Sequence, residues 1–346
     1  MGKTLRLASL ASVAAFALAF AGSALATPRL IIGGNTAPGS SQVSIQFQEE
    51  KTDAGPARIV IYAPAGYTGT VTATPGTQLG TVHADLQALA ISPDAIISAD
   101  GQIIADNPAT HTADACSPGT HTAVWILRVT VSGTTINVPV YIDAPPPGTD
   151  PLAGTSPFRL TFCFSSPYVA APVGAPFGAK IINAVLQMNQ GTLTAPAVRG
   201  SYVWRAVATP YTVGSATPNV AGTVEARGIV DLPDLLSLTV KVTNKQKRMV
   251  RVTGALKAGS FPLVGATVSL TGSVKAKKKT GSSGSVLFSL RFKKKGTYTF
   301  RLTTTVPAYD VTSDGCKTPT APTLPCVSAS ANGFTATSRT VKLKLK

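Results

Sequence analysis

The sequence predicts an all-β chain built as two β-sandwich domains. Three observations lead there. Val, Thr, Ile and Tyr gather in short extended runs that Gly and Pro interrupt, the pattern of strands and their turns. Beyond the first 26 residues no stretch keeps a 3.6-residue apolar period, so nothing marks a long amphipathic helix. The charge balance also changes sign once. Residues 27–234 carry nine basic and thirteen acidic side chains, net −4, whereas residues 235–346 carry twenty and two, net +18. The switch falls at DLPDLLS (231–237) and sets the expected boundary between a domain of 27–234 and a basic domain of 235–346.

Residues 1–26 have the layout of a secretory signal peptide. Lys3 and Arg6 precede an apolar run from Leu7 to Phe20, and Ala24-Leu25-Ala26 forms a small-x-small cleavage site. The run is shorter than the roughly 18 apolar residues a membrane span needs. No later segment is apolar enough to span. The expectation is cleavage after Ala26 and an exported chain of 27–346. Four cysteines fit an oxidising compartment and allow three pairings. Cys116–Cys163 and Cys316–Cys326 are favoured because each pair stays inside one expected domain.

In the first domain the clearest strands are VSIQFQ (43–48), ARIVIYAP (57–64), TVTAT (70–74) and TAVWILRVTV (122–131). TINVPVYI (135–142), FRLTFCF (158–164), KIINAVLQM (180–188) and YVWRAVAT (202–209) follow. Gly133 marks a hairpin turn. IINAVL also reads as a short helix. The proline-rich 144–157 segment reads as a long loop within the domain, since a Cys116–Cys163 bridge would span it. Trp125 and Trp204 lie in predicted strands and are expected in the core. This domain carries no family motif.

In the second domain, LSLTVKV (236–242), VLFSLRF (286–292), TYTFRL (297–302) and VKLKLK (341–346) alternate apolar with polar, giving each strand one buried and one wet face. Gly254, Pro262-Leu263, Gly265-Ala266, Val268, Gly284 and Gly296-Thr297-Tyr298-Thr299 together resemble bacterial Ig-like domains of secreted and surface proteins. The resemblance covers about 238–346. It implies an Ig-like sandwich in which Tyr298 forms a tyrosine corner, its hydroxyl bonding upstream backbone. Phe300 stands where antibody-type domains have a cysteine, so packing must replace an inter-sheet disulfide. Cys316–Cys326 falls in a loop that departs from the pattern.

Chemistry is sparse. Lys277-Lys278-Lys279 and Lys293-Lys294-Lys295 flank the 286–292 strand and read as turns near its two ends. With Lys342 and Lys344 they either protect strand edges and faces from aggregation or adhere to a polyanion by summed charge. The expected partner is an acidic envelope polymer or an anionic surface. No aromatic platform is interleaved with the lysines, which argues against sequence-specific nucleic-acid recognition. His111, Cys116 and His121, with Asp114 between, have the donor types of a soft-metal site, but Cys116 is expected in a disulfide. His83 is the third histidine. Gly281-Ser282-Ser283-Gly284-Ser285 is not a nucleophile elbow and H-E-x-x-H is absent. Glu49-Glu50 reads as a strand end. No catalytic, metal or cofactor residues are assigned. The expected function is a non-enzymatic cell-surface or extracellular-matrix component whose basic domain adheres to acidic envelope polymer. The alternative is an extracellular ligand- or metal-binding protein with the second domain as spacer.

Overall fold

A strand with one apolar face needs a second apolar surface to cover it. In the computed structural model, which describes residues 27–34, 37–131, 133–233, 236–312 and 326–346, that cover comes from other strands. The expected signal segment lies outside the described residues. So does Cys316, and with it the expected Cys316–Cys326 pair. The protein is all-β, with three short 3-10 turns and no α-helix among the described residues. No helix there is long and apolar enough to cross a membrane.

The first part of the chain supplies β1 (Arg29–Gly33), β2 (Ser44–Gln48), β3 (Pro56–Tyr62), β4 (Gln78–Ala88), β5 (Ile96–Asp106) and β6 (Ala123–Val131). Next come β7 (Thr134–Asp143), β8 (Arg159–Cys163), β9 (Ala179–Met188), β10 (Gly200–Pro210) and β11 (Val224–Leu232). The second part holds β12 (Ser237–Asn244), β13 (Met249–Ala255), β14 (Lys257–Ala258), β15 (Phe261–Pro262), β16 (Thr267–Gly272) and β17 (Ala276–Lys279). It ends with β18 (Ser285–Arg291), β19 (Gly296–Val306), β20 (Tyr309–Thr312), β21 (Cys326–Ala331), β22 (Phe334–Thr337) and β23 (Val341–Leu345).

Thirteen strands form one sheet in the order β1-β2-β9-β4-β5-β6-β7-β8-β3-β10-β11-β21-β20. Every pair is antiparallel except β11–β21. The sheet curls until its inner face closes on a single core. Leu30 and Ile32 of β1 share that core with Ala226, Val230 and Leu232 of β11, although ten steps of strand order separate them. Gly228 permits the approach. A Cβ there would lie 2.9 Å from Ile32 Cγ1 and 3.0 Å from the Leu30 carbonyl oxygen. Side chains hold the start of the chain in place: Arg29 pairs with Asp310, and Ser328 Oγ donates to the Pro28 carbonyl at 2.5 Å. β11 is buried at all nine positions. Its outward residues include Glu225 and Arg227, joined Nε to Oε1 at 2.5 Å, with Arg205 Nη1 3.6 Å from the same oxygen.

In the second part, the β12-β13-β18 sheet and the β17-β16-β19-β22 sheet, with β23 also on β19, share a separate core. Leu238, Val252, Val268, Phe288, Phe300 and Leu302 fill it. The alternation read from sequence places these faces as expected, with Lys241, Lys342 and Lys344 outward. The Tyr298 hydroxyl donates to the Lys294 carbonyl at 2.8 Å, which is upstream backbone.

Two details differ from the sequence reading. TVTAT (70–74) forms no strand, because no neighbour pairs with it; instead the Val71 carbonyl accepts the Trp125 indole N–H at 3.0 Å. KIINAVLQM is strand as read, inside β9, and the short-helix alternative for IINAVL falls away because β2 and β4 flank it on both edges. The second part also does not keep all its strands to itself: β20 and β21 return to extend the large sheet, so the 234/235 boundary divides the sequence without dividing the sheets. The 144–157 segment is a loop between β7 and β8, within the large sheet.

The Cys116–Cys163 disulfide forms, with Cα atoms 6.0 Å apart across 47 residues. By chain entropy such a closure contributes about 4 kcal/mol. It pins the 107–122 loop over the outer face of β6 and β7, where Val124, Ile126 and Tyr141 form a small cluster.

Gly228→Val is expected to lower stability by about 1–3 kcal/mol through overpacking against β1. A shift of the urea midpoint to lower concentration checks it; an unchanged midpoint would mean β1 does not lie there.

Candidate functional site

The basic residues are displayed outward. Lys277, Lys278 and Lys279 are all exposed, but they are not a turn: they belong to β17, which pairs with β16 alone and so forms a sheet edge. Ala276 and Lys278 share the face of buried Leu270 and Val268, while Lys277 and Lys279 stand on the opposite face. Lys278 Nζ donates to the Leu287 carbonyl on β18 at 3.1 Å, linking the edges of the two small sheets. Lys293, Lys294 and Lys295 are exposed in the turn between β18 and β19, as read from sequence. The Gly281–Ser285 run turns the chain from β17 to β18, with the Gly284 N–H donating to the Gly281 carbonyl at 2.9 Å.

The histidine cluster is divided rather than convergent. His111 Nε2 hydrogen-bonds Asp106 at 3.0 Å. His121 bonds Asp143 through Nδ1 at 2.8 Å and the Ser117 carbonyl through Nε2 at 2.9 Å. His83 lies on β4, bonded to Asp100 at 2.7 Å. Cys116 is held in the disulfide, so it offers no thiolate. Asp114 accepts from the Tyr141 hydroxyl and, at 3.0 Å, from the Cys116 N–H. Among the described residues no three His, Cys, Asp or Glu side chains converge on one point. Trp125 and Trp204 are fully buried.

The feature the sequence reading missed is a cavity of about 390 Å³ in the large sheet. Its origin is a mismatch of strand lengths. β6 pairs with β7 from Thr134 to Ile142, but β8 pairs only with Val140 to Asp143. Ile136 to Pro139 therefore have β6 on one side and no strand on the other. Pro139, the first residue past the last pair, has no N–H to leave unpaired. The cavity lies at this gap, beside Phe164, Ser165 and Pro167. Its inner wall is apolar: Val82, Ala84 and Leu86 on β4, Leu127 and Val129 on β6, Val138 on β7.

The space exists because small residues fall side by side. Ala184, Ala84 and Ala99 lie abreast on β9, β4 and β5. In the next row Gly101 sits between Val82 and Val129. A Cβ on Gly101 would lie 2.0 Å from the Arg128 carbonyl oxygen, so this position stays empty. Ala84, Ala99 and Ala184 are inward positions of a core whose larger members are Leu, Ile, Val, Phe and Trp.

Polar groups at the rim are mostly committed. Lys180 Nζ donates to the carbonyls of Glu50, Lys51 and Asp53 at 2.9, 2.9 and 2.6 Å, which uses all three of its protons. The Tyr211 hydroxyl donates to the Phe164 carbonyl at 2.6 Å. Asn137 and Ser165 are exposed, and their side chains have no hydrogen-bond partner among the described residues.

Behind Lys180 sits Glu49, buried, with no partner for its Oε2. Burial pushes its carboxyl up to about 8; nearby Lys180 opposes the shift and Asp53 adds to it. Burial pulls the Lys180 ammonium down, against the same carboxylates. Glu49 thus holds a proton in the folded state that it releases in the unfolded state at neutral pH. Stability must then fall as pH rises from about 4.5 to about 8 and level off above. Glu49→Gln is expected to remove most of that slope and to be the more stable form at pH 8, by on the order of a few kcal/mol. Urea unfolding of both proteins from pH 5 to 9 checks it; parallel pH profiles would refute the assignment.

No protein-family model matches the chain, and no curated protein is significantly similar to it.

Proposed function

We propose that this is an exported, non-enzymatic component of a cell surface or extracellular matrix, held to acidic envelope polymer by the basic second part of its chain. The carrying observation is an uncompensated positive surface. Residues 235–346 contain only two acidic side chains, Asp310 and Asp314. Among the described residues none of the lysines in this part joins an ion pair, while the six triplet lysines, Lys342 and Lys344 all face solvent. This charge is spread over an edge strand, a turn and a terminal strand. Adhesion by such a surface is summed and non-specific, and salt screens it over about 8 Å at physiological ionic strength. The reading takes the second part as an Ig-like sandwich, supported by two facing sheets over one core and by the Tyr298 hydroxyl on upstream backbone.

Export is supported by the surroundings of Thr27. Its backbone nitrogen lies 2.9 Å from Asp53 Oδ2. Cleavage after Ala26 would make that nitrogen an ammonium and the contact a salt bridge. The disulfide fits the same compartment. A second reading, extracellular ligand binding by the first part, is favoured by the cavity. Its metal version loses Cys116 to the disulfide.

The full secreted chain is expected to be retained on isolated cell envelope at low salt and released as salt rises. A variant with Lys277, Lys279, Lys293, Lys295, Lys342 and Lys344 all changed to Gln should elute at several-fold lower salt. Failure of the unaltered chain to bind at low salt would end the adhesion reading and leave the lysines as edge protection.

A further inference from the structure

We propose that the cavity beside β7 binds one neutral single-chain amphiphile, of the long-chain alcohol or monoacylglycerol type, with its chain inside the sheet and its head at the gap. This supplies a ligand for the second reading above. The adhesion reading stands apart from it, because salt-dependent retention does not report on the cavity.

Volume limits the ligand first. About 390 Å³ is near the lower end of the roughly 300–1,000 Å³ usual for small-molecule sites. One slender chain fits that description better than a two-chain lipid. The wall chemistry comes next. Ala84, Leu86, Leu127, Val129 and Val138 offer no hydrogen-bonding group, so the part of the ligand they enclose must be apolar.

The rim then selects the head. An anionic head needs a cation, and Lys180 is the cation that lines the cavity. Its three protons already serve carbonyls of the 50–53 loop, and releasing them would leave those buried oxygens unpaired. Asp114, on the same rim, adds negative charge that repels an anion. A cationic head would find Asp114 already accepting from Tyr141 and from the Cys116 N–H. The remaining groups are Asn137 and Ser165, each both donor and acceptor, and each exposed at the gap. A hydroxyl or ester head matches them without bringing a charge.

The route in is also fixed by the strands. β8 stops at Cys163, and the disulfide anchors that end. The gap along Ile136 to Pro139 therefore gives lateral access without any hydrogen-bonded ladder having to open.

The test uses the secreted full chain and the neutral fluorescent probe N-phenyl-1-naphthylamine. The probe should bind with a stoichiometry near one, and monooleoylglycerol should displace it at least tenfold more effectively than oleate or oleylamine. Ala84→Phe, which fills the cavity, should weaken probe binding at least tenfold with the circular dichroism spectrum unchanged. If that variant does not fold, Asn137→Trp, at an exposed position on the gap, should slow probe association at least several-fold. Three results overturn the proposal. One is absence of saturable probe binding. A second is oleate or oleylamine displacing as well as monooleoylglycerol. The third is probe binding unaffected by either substitution.

Discussion

A wide sheet without helices can bury its apolar face only against itself. The rest of this structure depends on that constraint. Eleven of the thirteen strands, β1 to β11, line one core and curl until β1 lies over Gly228 of β11. The closing contact needs a glycine, because any side chain there would meet Ile32. β10 pairs along the whole of β11 and β21 along Glu225 to Ile229, and on the outward side Glu225, Arg227 and Arg205 form a buried cluster. Removing Glu225 from such a cluster would be costly, since two buried guanidinium groups would lose the carboxylate they share.

Curling has a second consequence. Strands of unequal length cannot all be paired along a closed sheet, and β7 outruns β8. Gly101 shares a row with Ile136 at this gap, and Ala84 and Ala184, which line the cavity, supply little bulk beside it. The cavity is thus a product of register and of small residues together. The acidic first part holds the enclosed space, while the basic second part carries its charge on the outside. The two parts are suited to different partners, one apolar and one polyanionic.

The second part was largely legible in the sequence. Leu238, Val286, Phe288, Phe300 and Leu302 alternate with polar residues, and period-2 alternation fixes both the strand and its buried face. Cys116 and Cys163 were legible from chain position alone. β4 and β5 were not: QLGTVHADLQA and IISADGQIIAD mix Gly, Ala and Asp, which have weak strand preference, and pairing on both edges overrides that preference. β11 was hidden because Glu225, Arg227 and Asp231 look like solvent-facing residues yet are buried. TVTAT misled in the opposite sense, with good strand residues and no neighbour to pair. The cavity could not be read, because it depends on which small residues end up abreast across β9, β4 and β5. Pro139 inside an apolar run was the one local signal of a free edge.

Backbone amide hydrogen exchange of the full chain tests the closed sheet most directly. If β1 covers one face of β11 and β10 and β21 hold its edges, the amides of Glu225 to Ile229 exchange only through global unfolding and rank among the slowest in the protein. The exposed edge strand β17 should exchange orders of magnitude faster through local opening. Exchange in β11 as fast as in β17 would contradict a sheet that closes on itself.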